Sequence, residues 1–92
     1  GRVSPVFGTH THVLTADAQG LKGGTGYITD IGMTGAYDSC LGVDKEIIMR
    51  RFCTMLPERF DYAKGDCMLN CVVFDIDRSS GKCTAAQSFE LR

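Results

Sequence analysis

The sequence predicts a mixed α/β (α+β) fold with short strands, one main helix and a C-terminal β-hairpin, in a single partial domain spanning residues 1–92. Three observations carry that expectation. Seven of the eleven glycines lie between Gly20 and Gly42, breaking the first half into short segments joined by tight turns. Residues 44–56 have the apolar spacing of an amphipathic helix, and residues 67–91 are rich in strand-forming side chains on either side of a Ser-Ser-Gly turn.

Taken in order, Val3 to Phe7 is an apolar run ending at Gly8, which reads as a buried strand delivering the chain into a loop. Residues 8–12 form that loop. Tyr27-Ile28-Thr29-Asp30 reads as a short strand between glycine turns. The helix is expected from Asp44, a plausible N-cap, to Leu56, with Ile47, Ile48, Phe52 and Met55 on its apolar side and Arg50 and Arg51 toward its polar side. Pro57 stops it. A short strand is expected over Phe60–Ala63 and a longer one over Met68–Asp75. After the turn at Ser79-Ser80-Gly81, Cys83 to Leu91 alternates, placing Cys83, Ala85, Phe89 and Leu91 on one face of an amphipathic second strand.

Composition narrows the function classes. Leu, Ile, Val and Phe supply 22 of the 92 residues, too many for a disordered chain. A chain this short buries a limited share of its surface, so it needs tight packing, a metal or a partner surface. The net charge is −1 and the basic residues stand singly or in pairs, which argues against a DNA-binding surface. No apolar run approaches the roughly 20 residues of a membrane-spanning helix. No secretory leader opens the chain, and Gly1-Arg2 running directly into Val3, Val6 and Phe7 is expected to reflect truncation or processing.

Five cysteines, Cys40, Cys53, Cys67, Cys71 and Cys83, are an odd number without a C-x-x-C pair, so free packing thiols and a reducing, cytoplasmic compartment are expected. Cys67 and Cys71, four apart on a strand, share a face and read as two buried thiols.

The sharpest chemical signal is His10-Thr11-His12, the only two histidines in the chain. In an extended segment they point the same way, roughly 6.6 Å apart, and their imidazoles can reach one metal or two metals about 3.5–4 Å apart. Gly8 allows close backbone approach, and Thr9 and Thr11 offer hydroxyls that steady the imidazoles. Surface histidines with no metal are the plainer alternative. A working metal site needs further ligands, for which Asp17, Asp30 and Asp38 are the candidates. Asp30 sits at a strand end and equally suits a turn cap before Gly32; Asp17 and Asp38 read as solvated loop residues.

Gly8-Thr9-His10-Thr11-His12-Val13, Thr15-Ala16-Asp17, Gly23-Gly24-Thr25 and the block Tyr27-Ile28-Thr29-Asp30-Ile31-Gly32-Met33-Thr34-Gly35 together resemble the C-terminal third of the YmdB-type bacterial metallophosphoesterases. Tyr37-Asp38-Ser39, Gly42-Val43, Arg50-Arg51-Phe52, Leu56-Pro57 and Arg59-Phe60 extend the resemblance over essentially the whole chain. It implies part of a calcineurin-like αββα two-sheet sandwich and a phosphodiesterase acting on cyclic nucleotides or related phosphodiesters. It also implies two divalent metal ions, iron or manganese, with His10 and His12 as the last two ligands. The remaining ligands and the catalytic histidine are then expected upstream of residue 1, so that this chain alone is inactive and the missing N-terminal part of the domain is a partner. Ala36 stands where the family commonly has proline, and the cysteines depart from its pattern.

Other readings are an amidohydrolase-type barrel, which at about 250 residues is far too long, and a zinc or redox role for the cysteines. A non-catalytic module is the more serious alternative. A partial sandwich leaves strand edges and an apolar face uncovered, so a homo-oligomer is expected.

Overall fold

The computed structural model describes residues 1–92. Six strands and one helix run in the order β1 (Pro5–Phe7), β2 (Gln19–Gly20), β3 (Gly26–Ile28), β4 (Thr34–Ala36), α1 (Lys45–Thr54), β5 (Cys67–Ile76) and β6 (Cys83–Leu91). They form two three-stranded sheets. In the first, in the order β1-β3-β2, β1 pairs parallel with β3 and β2 pairs antiparallel with it. In the second, β4-β5-β6, every pairing is antiparallel. The mixed α/β architecture, the single helix and the C-terminal hairpin are those expected from the sequence.

The sheets pack against each other through β3 and the inner face of the β5–β6 hairpin. Phe74 stacks on Phe7 with ring centroids 6.4 Å apart, and the Cys83 amide donates to the Gly24 carbonyl at 2.7 Å. Gly26 makes this approach possible: a Cβ there would lie 2.6 Å from Cys83 Sγ and 2.7 Å from Phe74. The core is thin. Ile28 is its one fully buried apolar side chain, joined by Ala36.

The hairpin follows the expected boundaries closely, but a bulge divides the face expected of its second strand. Strand residues directly opposite share a face, so Phe74↔Ala86 and Val72↔Ser88 line the inside, while Cys71↔Phe89 and Leu69↔Leu91 stand on the outside. A bulge near Thr84, where Ile76 pairs with Cys83 but Asp75 with Ala85, shifts the phase by one residue. Cys83 therefore faces inward while Ala85, Phe89 and Leu91 face outward, so the single face expected for the four is split. Cys67 and Cys71 share a face, but it is the outer one; Cys67 is exposed and Cys71 half-buried, correcting the expected burial. All five thiols are unpaired.

Asp44 caps α1 by accepting the Glu46 amide at 2.8 Å, as the sequence predicts. The helix ends at Thr54 rather than Leu56, because Met55 turns left-handed (φ 57°) and donates its N–H to the Arg51 carbonyl. Leu56 precedes proline and is sterically kept from the helical region. No residue of α1 is buried. The helix sits on an excursion between β4 and β5 whose two limbs are tied by Tyr37 N–H to Asp66 C=O at 2.8 Å, Ala63 N–H to Gly42 C=O at 3.0 Å and Asp44 N–H to Asp61 C=O at 3.0 Å. The strand expected over Phe60–Ala63 reduces to a single bridge, Val43↔Tyr62, because these residues pair only with the opposite limb. Val6 and Phe7 are exposed rather than buried, since β1 lies at a sheet edge.

The excursion makes the molecule long, 55 × 25 × 17 Å with a radius of gyration of 17.2 Å, against about 12 Å for a compact chain of this length. Its surface of 6854 Å² exceeds the roughly 5,200 Å² expected at this mass. No helix is long and apolar enough to cross a membrane.

Candidate functional site

β1 runs parallel to β3, and its continuation carries Gly8 alongside Thr29, with the Ile31 amide donating to the Gly8 carbonyl at 3.0 Å. A Cβ at Gly8 would collide with the Thr29 carbonyl oxygen, so only glycine lets the histidine loop start here. Beyond it the chain bends. His12 adopts a left-handed conformation, φ 62°, so residues 10–12 are not the extended segment expected from the sequence. Both imidazoles are exposed on the loop surface.

Thr11, between the histidines, fixes the loop. Its N–H donates to Asp30 Oδ2 at 2.6 Å and its hydroxyl to the same oxygen at 2.8 Å. Asp30 is 1% exposed, and its other oxygen accepts the Gly32 amide at 2.8 Å, the turn-cap arrangement. Burial raises the Asp30 pKa, but the Gly32 amide, the Thr11 hydroxyl and amide, and the nearby His12 outweigh it and hold the carboxyl below its ordinary value. One buried carboxylate thus links the histidine loop to the end of β3. Thr9 is exposed.

Asp17 is a hub rather than a solvated loop residue. It accepts the Thr15 hydroxyl at 2.6 Å, the Thr29 hydroxyl at 2.5 Å and the Thr29 amide at 3.1 Å. These bonds, led by Thr15 and then Thr29, lower its pKa to about 2. Asp38 is exposed and pairs with Lys45 at 2.6 Å. Neither aspartate joins the histidines, and no three His, Cys, Asp or Glu side chains in the chain converge to hold a metal ion.

Beside His12 a cleft of about 270 Å³ opens between the histidine loop and β5–β6, lined among others by Met33, Tyr37, Leu41, Asn70 and Glu90. Asn70 packs against Gly32 (φ 79°), where any Cβ would meet Asn70 atoms at 2.7 Å. Its Oδ1 is the one buried side-chain polar atom with no hydrogen-bond partner. Arg92 lies 3.6 Å over the Tyr37 ring and is held by Glu90 at 2.7 Å. Sequence reasoning passed over Asn70, although one amide amid Met68-Leu69-Asn70-Cys71-Val72, at an inward-facing position, was a readable signal.

The profile of the family described as "YmdB-like protein" matches residues 1–89. The 2',3'-cyclic-nucleotide 2'-phosphodiesterase of Bacillus subtilis (strain 168) is 57% identical over 82 residues, 89% of this chain and 31% of that protein. A crystal structure of a novel phosphatase from Mycoplasma pneumoniae superposes with a TM-score of 0.90 at 37% identity, covering 97% of this chain and 32% of that one. A hypothetical protein from Thermus thermophilus gives 0.89 at 39% identity, covering 98% and 35%. The chain spans about a third of the length of the relatives it matches and corresponds to their C-terminal part.

Proposed function

Because the chain belongs to the YmdB-like family, we propose that it is the segment of a metal-dependent phosphodiesterase that contributes His10 and His12 as ligands to a two-metal centre. The observation that carries this reading is the Thr11–Asp30 pair, which holds the chain between the two histidines in place and leaves both imidazoles free to bind. Imidazole nitrogens suit iron, and the family likeness adds manganese, but two donors are too few for a stable site. The rest of the ligand set and the catalytic histidine therefore come from residues outside this chain, in the upstream part of a calcineurin-like domain.

When bound, the metal pair supplies Lewis acidity toward water and toward a phosphoryl oxygen. His10 and His12 hold it as neutral ligands and neither take nor give a proton. Thr11 and Asp30 set where the loop presents them, and the buried Asp30 carboxylate adds negative charge beneath the site, favouring cations. The substrates are phosphodiesters, cyclic nucleotides among them, by likeness to the Bacillus protein. The five unpaired thiols support a cytoplasmic setting.

A chimera joining the upstream two thirds of the Bacillus relative to this chain tests the proposal. Two metals per chimera by elemental mass spectrometry and hydrolysis of 2',3'-cyclic AMP are expected. His10→Ala or His12→Ala should remove metal and activity together while the chimera stays folded. Metal content and turnover unchanged in both variants would refute it.

A second reading, a non-catalytic module that forms a homo-oligomer, is favoured by one specific observation. The surface excess of roughly 1,600 Å² over a compact chain is more than the roughly 800 Å² that each partner contributes to a standard-size interface. The unburied helix and its C-cap, with Phe52 76% and Met55 83% exposed, are where that contact would form.

A further inference from the structure

The cleft beside His12 is not explained by metal binding, and we propose that it is a subsite for a nucleobase bearing an exocyclic amino group. The inference rests on the phosphodiesterase reading, which brings a nucleotide to His12, and adds which part of the nucleotide this chain recognises and how.

Two features of the cleft point to a base. The first is Asn70, 8% exposed, whose Oδ1 lacks any donor within the chain. A buried acceptor without a donor is costly, and the broad χ2 distribution of asparagine lets its amide turn toward the cleft it lines. A ligand that enters with an N–H satisfies it. A carboxamide meets an amino group beside a ring nitrogen with two hydrogen bonds, the pairing by which asparagine recognises adenine.

The second feature is a flat wall. Arg92 covers one face of Tyr37 and is itself held by Glu90, so ring and guanidinium form a fixed stack. Tyr37 remains 46% exposed at the cleft, and an aromatic platform of this kind accepts any base by stacking. Met33 and Leu41 complete an apolar pocket around one buried polar group, the usual composition of a small-molecule site. Placed there, a base leaves its ribose and phosphate on the His12 side.

Adenosine and purine riboside, identical except for the amino group, separate this proposal from the one it rests on, since neither carries a phosphate and neither needs a metal. Titrated into the chain and followed by calorimetry, adenosine should bind about tenfold tighter than purine riboside. Asn70→Leu should abolish the difference, and Tyr37→Leu should weaken both nucleosides by about tenfold while preserving it. Equal affinities, no binding of either nucleoside, or an adenosine preference that survives Asn70→Leu would each overturn the assignment. None of these results touches the histidines, whose role is decided by the metal content of the chimera.

Discussion

Replacing Asn70 by leucine is expected to stabilise the unliganded chain, an unusual result for a buried position. Oδ1 lies buried with no donor, and leaving such a group unsatisfied costs about 1–3 kcal/mol. Leucine branches at the same carbon, removes the polar group and suits the centre of a strand better. Against this stands its larger bulk beside Gly32, where Asn70 Cβ, Cγ and Nδ2 already lie within 2.9 Å of the position a Cβ would occupy; modest overpacking of this kind costs about 1 kcal/mol. The net expectation is a gain of about 1 kcal/mol, which for a domain of this size raises Tm by about 4–8 °C. Thermal unfolding by circular dichroism at two protein concentrations reads the shift and separates it from any change in association. A fall in Tm at both concentrations would mean that relieving Oδ1 gains less than the overpacking costs, removing the energetic argument for an unmet acceptor.

Other expectations follow from equally local features. Gly26→Ala drives a methyl group against Cys83 and Phe74 and should cost about 1–3 kcal/mol; an unchanged urea midpoint would mean the sheets are not packed through Gly26. The Asp17 carboxyl is lowered to about 2 from its usual 3.8, so the unfolded chain takes up this proton first as pH falls. Its contribution is fully present above pH 3.8 and disappears as pH falls from there through about 2. Asp17→Asn should therefore flatten the acid limb of the stability profile between those values, and an unaltered limb would show that the Thr15 and Thr29 bonds do not form in solution. Phe52→Asp on the unburied helix and Met55→Asp at its C-cap should shift the sedimentation equilibrium toward monomer while changing monomer stability by less than about 0.5 kcal/mol. Unchanged association would exclude α1 from the interface.

Local rules made some of this structure readable in advance. Asp44 ahead of an amphipathic run fixed the start of α1, and the Ser-Ser-Gly turn between two β-rich runs fixed the hairpin. What could not be read was which side of the hairpin faces inward. Phe89, Leu91, Leu69 and Val73 make the outer face as apolar as the inner one, and a one-residue bulge at Thr84 leaves no mark in the alternation. β2 and β4, two and three residues long within glycine-rich segments, are too short for periodicity to register. At the candidate site, His10-Thr11-His12 and Asp30 stood out by type and spacing. The hydrogen bonds joining Thr11 to Asp30, nineteen positions away, depend on β1 and β3 running parallel. The extended backbone assumed at the histidine pair is absent because His12 turns left-handed, which no local sequence rule marks.

The two limbs of the helical excursion meet again where they leave the sheet. Tyr37 donates to Asp66 immediately beyond the Ala36↔Cys67 pair, so β4 and β5 are already clasped before the helix is reached. Residues 38–65 could give way to a tight turn with β4 and β5 still in register, and the shorter closure would return roughly 2 kcal/mol of chain entropy. The sheet that backs the histidine loop does not need the helix to be a sheet. Apart from Ser39 and Leu41, which line the cleft beside His12, the excursion is directed outward, and its tip is free to diverge in sequence, lengthen or carry a fused partner without disturbing the strands beneath His10 and His12.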